Sequence, residues 1–405
     1  MKNICLCFQV HHPFHFQRFR FSDIGTARSY YDEERIEREI YEAASHSYIV
    51  SNQFLLNQLK KYKGKLKLAF YISGTACDQF LMYVPEVINS FRELADTGQV
   101  DFLGGTSSHS LITLTSHKKE LIQQVKDHQA KIKYLFGVKP QVFVNTDMIY
   151  ADLIGKDIFE AGYRALMTNG SSKTLAWRSP NYVYSNPYRP KMKVYFRNEQ
   201  VSDELSSQLE SLDAKIDTSP SSGLETLNTN FQNHEPLLNI YTDYKNLGGV
   251  EAKKKQGLME ALFSQVTNSS TMSFALPAEI ADRYGAVASI SASDPICWVD
   301  QFQSHYYPGN ELQTEAIMQL YSLESPVSRL DDLNTQKDWQ YLQTSDHIHL
   351  MDNQHPCYLE GNAGKGIFRT KYDAFINYMN IVDDFRLKIL RQIDKKEKKL
   401  TRKQA

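Results

Sequence analysis

The chain has 405 residues, 41% of them hydrophobic, which suffices for a substantial core and for more than one structural unit. Its 46 basic and 47 acidic residues leave a formal net charge of -1, so no nucleic acid and no acidic membrane is expected as partner. Five scattered cysteines (Cys5, Cys7, Cys77, Cys297 and Cys357) form no CxxC pair, which removes zinc-knuckle and thioredoxin-like chemistry.

In chain order, short apolar runs occur at 4–10, 66–72, 100–104, 142–145, 165–168, 193–196 and 237–243, with 272–276 as an eighth candidate. Their length and their Val, Ile, Phe and Tyr content predict buried strands. The first is too short for a signal-peptide core and runs into His11-His12-Pro13 without a cleavage-like site. No apolar run is long enough to span a bilayer, and a reduced, cytoplasmic protein is expected. Between the strands lie helical patterns over 34–62, 118–136 and 156–161, which stop at Gly64, Gly137 and Gly162. Strand and helix alternating this often predict a parallel α/β sheet, and about seven repeats favour closure into a barrel over an open doubly wound sheet. Neither GxGxxG nor GxxxxGK[ST] occurs, so the nucleotide-cradling loops are absent. Residues 200–235 read as a helical excursion followed by a loose loop. Helices are predicted over 311–324, 330–342 and 370–393, and 395–405 reads as a basic, solvated tail.

In a parallel barrel the chemistry-bearing side chains lie where strands end. Asp147 and Asp243 follow the ends of different strands. Paired carboxylates across a cleft serve glycosidic cleavage, one donating a proton and the other attacking or stabilising the anomeric carbon. The competing reading is that a strand-end Asp caps the next helix. With 24 Tyr, 21 Phe and 3 Trp the chain also has rings to stack on sugars, although most aromatic residues fill cores.

Several segments resemble glycoside hydrolase family 57, in its α-amylase branch. FQVHHPF at 8–14 resembles the family's FQVHQPF, and VDFLGGTSSHSL at 100–111 resembles VEFLGETYYHSL. VFVNTDMIY at 142–150 resembles VFRNTELIY, IYTDYKNLGG at 240–249 resembles an FMDYETFGEH-like block, and LQTSDHIHLM at 342–351 resembles LQTSDHFYYM. YFRNEQVSDEL at 195–205 and the stretch from Trp298 to Glu324 also look familial. The similarity is collinear over nearly the whole chain. It implies a (β/α)7-type distorted barrel over 1–300 and a C-terminal helical bundle over 301–405.

The same resemblance implies an α-glucan or maltooligosaccharide as ligand, with no cofactor and no metal. Asp147 stands at the nucleophile position and Asp243 at that of the general acid/base. His11, His109, Trp298, Asp346 and His347 stand at substrate-binding positions, and Asp300 belongs to the Trp-x-Asp segment. A metal site built on His11, His12, His15 or the His347-Ile348-His349 pair has no identifiable third ligand in the sequence.

The departures from the family pattern concern the cleft. The nucleophile is a glutamate in the family; Asp147 is one methylene shorter, which withdraws the carboxylate by about 1.5 Å from a pair that must sit about 5–5.5 Å apart. A misplacement of about 1 Å costs on the order of a hundredfold in rate. The glutamate of the second motif is Gly105 and its aromatic pair is Ser107 and Ser108. In the fourth motif a glutamate has become Lys245 and a Glu-His pair has become Gly249-Val250. Weak or absent hydrolysis is the resulting expectation; the alternative is an active retaining α-1,4-glucan hydrolase or 4-α-glucanotransferase using Asp147 and Asp243.

Overall fold

The computed structural model describes residues 2–210, 234–297, 309–352 and 367–404. The chain forms two compact units. The first contains Met1–His12, Glu37–Thr106 and Gln124–Gln301; the second contains Pro13–Ile36, Ser107–Gln123 and Phe302–Ala405.

Nine strands build the first unit: β1 (Lys2–Val10), β2 (Leu68–Ile72), β3 (Val100–Leu103), β4 (Val142–Val144), β5 (Ala165–Asn169), β6 (Val183–Ser185), β7 (Lys193–Arg197), β8 (Leu237–Asp243) and β9 (Met272–Phe274). Seven of them run parallel in the order β3-β2-β1-β8-β7-β5-β4. The two ends of this series meet through Gly104, whose N–H donates to the Val142 carbonyl (2.8 Å) and whose carbonyl accepts from Val144 N (2.8 Å). A Cβ at Gly104 would lie 2.0 Å from the Tyr163 hydroxyl, so only bare backbone fits this seam. The result is a nearly closed seven-stranded barrel with the strands in chain order. It is distorted where β7 and β8 share a single residue pair, Arg197 with Asn239. β6 adds antiparallel to β7, and β9 lies parallel beside the first residues of β1.

The two faces of β1 show why Ile4–Phe8 reads as an unbroken apolar run. Ile4, Leu6, Phe8 and Val10 pack outward against Leu55, Leu59, Phe80 and Phe91 of the surrounding helices. Cys5 and Cys7 point inward among Tyr71, Leu103, Val144, Met167, Tyr195 and Tyr241. A strand buried on both faces has no polar alternation, and each fully buried aliphatic or aromatic side chain contributes about 1.5–3 kcal/mol.

The helix Lys118–Phe136 occupies the predicted span and ends in Gly137 at φ 73, the left-handed stop that glycine supplies. The single helix expected over 34–62 differs: Glu33–Ala43 passes through a wide π turn, Ala44–Tyr48, before Ile49–Lys61. The loop after β8 docks on that turn, with Ser47 Oγ donating to the Lys245 carbonyl (2.9 Å) and Gly249 N to the His46 carbonyl (2.8 Å).

The second unit holds the helices Glu311–Tyr321, Glu324–Ser328, Leu333–Leu342, Ser345–His349 and Lys371–Gln404, with Leu320, Leu342, Tyr378, Val382 and Phe385 among their buried residues. The tail expected over 395–405 is helical as far as Gln404, continuing Lys371–Gln404. Lys398 pairs with Asp394 one turn earlier, and Lys396 and Glu397 pair with Asp331 and Arg329. These contacts, together with good helix formers, extend the helix past its apolar face. Among the described residues no helix is long and apolar enough to cross a membrane. Trp298, Asp300, Cys357 and most of the loop expected at 200–235 lie outside the described residues.

Candidate functional site

The carboxyl ends of the parallel strands open on one face of the barrel. β1 delivers Gln9 and His11 there. Gln9 sits beside Asp243 in the β1–β8 register, and its side-chain carbonyl accepts from the Tyr241 hydroxyl (3.0 Å). His11 Nδ1 lies 2.8 Å from the Ser73 hydroxyl, which also accepts from Ala76 N (3.1 Å) and so caps the helix Gly74–Tyr83. His12 turns into the core instead, with Nε2 2.8 Å from the Tyr48 hydroxyl and its ring edge-on to Tyr48 and Phe80.

Asp243 ends β8 on the inward parity of Leu237 and Tyr241. Its Oδ1 accepts from Lys245 N (2.8 Å) and caps the short turn Tyr244–Leu247; among the described residues no other hydrogen bond reaches the carboxylate. The capping reading is therefore correct for one oxygen and leaves the other open. Burial raises the Asp243 pKa, while the Lys245 amide and the charges of Lys245 and His11 pull it back and Glu210 adds to the rise. Burial wins over the cations, so this carboxyl holds a proton to higher pH than an exposed aspartate. Lys245 thus acts on Asp243, through an exposed ammonium and a bonded amide.

Asp147 follows β4 in the turn Thr146–Met148 at φ 52, ψ 23, and Met148 shares the positive φ. Left-handed backbone at two successive residues with side chains costs about 1–2 kcal/mol each and needs support. Support comes from Met148 N donating to the Asn145 carbonyl (2.9 Å), Asn145 Nδ2 to the Ile149 carbonyl (3.0 Å) and Thr168 Oγ1 to the Met148 carbonyl (2.7 Å). β4 and β8 stand on opposite sides of the ring, so Asp147 and Asp243 rise from facing edges of the mouth.

The second-motif position is occupied in an unexpected way. A Cβ at Gly105 would lie 2.3 Å from Tyr71 Cε2 and 3.0 Å from its Cζ and hydroxyl. The buried Tyr71 ring fills the space that the family's glutamate would enter. Behind it, His128 stacks on Tyr71 at 5.7 Å. Its Nδ1 accepts from Gly105 N (3.2 Å) and its Nε2 donates to the Ile72 carbonyl (2.8 Å). That tautomer needs a neutral ring, and burial lowers the His128 pKa to about 4. Neither residue is marked by the sequence motifs, because only the barrel brings Tyr71 of β2 beneath Gly105. Arg197, fully buried at the end of β7 and inside the YFRNEQVSDEL stretch, donates to the Tyr241 carbonyl (3.1 Å) and pairs with Asp203. An arginine directly after the apolar run 193–196 was the available signal.

Within the second unit, His109 is buried at φ 49 and its carbonyl accepts from Ser345 N (3.0 Å). Ser107 and Ser108 are buried, and their hydroxyls have no hydrogen-bond partner among the described residues. His347 is stacked under Phe16 at 3.6 Å, with Nε2 3.1 Å from the Tyr341 carbonyl. Asp346 and His347 face a pocket of ≈ 230 Å³ shared with His15, Phe16, Arg35 and Phe368. Among the described residues no three His, Cys, Asp or Glu side chains gather into a metal-ligand set.

The family model Glycosyl hydrolase family 57 matches residues 5–293, which takes in β1 from Cys5 onward and every later strand. The chain belongs to family 57. A curated relative from Methanocaldococcus jannaschii, described as "Putative alpha-amylase", is 27% identical over 96% of this chain and 85% of its own length. Three solved structures share the fold at low identity. The α-amylase AmyC from Thermotoga maritima superposes with a TM-score of 0.64 at 12% identity, covering 96% of both chains. The family 57 branching enzyme from Thermococcus kodakaraensis gives 0.66 at 13%, covering 97% of this chain and 91% of its own. The 4-α-glucanotransferase from Thermococcus litoralis gives 0.69 at 12%, and the family 57 chain described here spans 60% of its length.

Proposed function

We propose that this family 57 protein is α-amylase-like, binds α-1,4-glucans and hydrolyses them weakly or not at all. The observation that carries the reading is the pairing of two departures at one mouth: Asp147 replaces the longer carboxylate on a left-handed backbone, and Tyr71 fills the second-motif position at Gly105. A shorter nucleophile on a turn fixed by three hydrogen bonds has little freedom to advance on an anomeric carbon. Asp243 takes the acid/base position, supported by its raised pKa and its open oxygen. His11, anchored by Ser73, takes the first-motif sugar contact. His109, Asp346 and His347 are carried as glucan contacts on the motifs, as is Trp298. A cytoplasmic location belongs to the same proposal.

One observation favours the second reading, an active retaining hydrolase or glucanotransferase. Both positions still carry carboxylates, and Asp243 keeps the protonation behaviour a general acid needs. Calorimetric titration with maltoheptaose, run beside product analysis, tests the proposal. Binding with little or no product supports it; no binding of any α-glucan overturns it, and rapid product formation moves the assignment to the second reading.

A further inference from the structure

The loop after β5 carries a feature that none of the family motifs covers. It opens with the helical turn Ser172–Leu175, whose Leu175 is buried. Ala176 follows at φ 52, ψ -112, a conformation that a residue with a side chain rarely adopts. Two hydrogen bonds close this turn, Ala176 N to the Ser172 carbonyl (2.8 Å) and Arg178 N to the Leu175 carbonyl (2.9 Å). At its apex stands Trp177, with 87% of its surface exposed. The Arg178 guanidinium lies over the ring, 5.3 Å from the centroid. Further along, Asn181 is buried and accepts from Asn198 Nδ2 (3.1 Å), which ties the base of the loop to the end of β7.

An indole in water contributes little to the fold, and positive φ at Ala176 works against it. The chain nevertheless holds both in one hydrogen-bonded turn, on the barrel face where the strands carrying Asp147 and Asp243 end. β5 is the strand next to β4, and Thr168 of β5 bonds directly to the turn that bears Asp147. The sequence neighbours Ser172, Lys173, Arg178 and Ser179 are polar, which argues against an extended apolar surface of the kind that buries a protein partner. A single rigid ring with a guanidinium beside it suits a ligand that offers a C–H face and a rim of hydroxyls. An exposed Trp supplies contact area at small entropic cost, and Arg donates several hydrogen bonds from one plane.

We propose that Trp177, with Arg178, stacks one glucopyranose ring of a bound α-glucan, as a binding subsite on the loop after β5. The inference rests on the α-glucan reading and adds a contact that the motif residues do not supply. The test compares wild type, Trp177→Ala and Trp177→Phe by calorimetry with maltoheptaose, with indole fluorescence as a second readout. Loss of the ring is expected to weaken binding about tenfold, and phenylalanine to retain most of it. Thermal midpoints should match the wild type, because the side chain is exposed. Equal affinity of the Ala variant and the wild type overturns the subsite while leaving the α-glucan reading standing. A wild type that binds no maltoheptaose overturns both.

Discussion

Restoring the family glutamate at position 105 should destabilise this protein. Gly105 faces a Tyr71 ring whose nearest atom would lie 2.3 Å from a new Cβ. Ordinary contact begins near 3.4 Å, so the ring must retreat by at least about 1 Å in a close-packed interior. Tyr71 is fully buried and backed by His128, so the displacement propagates. Overpacking of this kind costs about 1–3 kcal/mol, and a glutamate adds the cost of desolvating a charge. Gly105→Ala isolates the steric part. Urea unfolding of Gly105→Ala and Gly105→Glu should therefore show lower midpoints with an unchanged slope. Shortening the obstructing ring relieves the clash, so Tyr71→Ala/Gly105→Glu should be less destabilised than the sum of its single variants, by about 1 kcal/mol or more. A Gly105→Glu protein as stable as the wild type would refute the reasoning, and so would strictly additive single variants.

Three further expectations concern buried or partly buried titrating groups. Asp101, buried at the second position of β3, has its pKa raised to about 6, chiefly by burial. Its charged form is the costly one, so the penalty is present above pH 6 and fades as pH falls toward 3.8; Asp101→Asn should add up to about 3 kcal/mol at pH 8 and little at pH 4. Equal gains at both values would contradict the assignment. His128, held neutral with a pKa near 4, has the opposite sign: the unfolded chain takes a proton below pH 6.5 that the folded ring refuses, so stability falls from there toward pH 4. Relative to wild type, His128→Gln should lose less stability between pH 7 and 4.5, and an identical loss would remove His128 as the cause. Lys245→Met takes away one of the influences that lower the Asp243 pKa, so that pKa should rise further; a fall in carboxyl-carbon NMR titration would contradict the opposing roles of burial and Lys245.

The barrel was legible because its strands are buried on both faces. Ile4–Phe8 is apolar throughout and 237–241 is apolar apart from Asn239, and Gly137 stands where a helix stops, at a left-handed φ. β6 was not legible: it is three residues long and exists by antiparallel pairing to β7. The π turn at Ala44–Tyr48 was hidden too, since the loop that docks on it lies about two hundred residues away in sequence. At the site, strand-end position and motif resemblance singled out Asp243, Asp147 and His11. Tyr71 and His128 escaped because their significance is a tertiary contact: each reads in sequence as an ordinary core or helix residue. Trp177 was visible as one of three tryptophans, but exposure is what distinguishes it from the buried Trp339.

The central claim is a retained glucan site with impaired cleavage, and reducing-end release from a maltooligosaccharide series tests it most directly. Wild type, Asp147→Asn and Asp243→Asn are compared, each with its binding measured in parallel. The account predicts that all three bind the oligosaccharides while wild-type turnover stays at or near that of the two variants. Rapid turnover by the wild type, abolished by both substitutions, would contradict it and make Asp147 a working catalytic carboxylate.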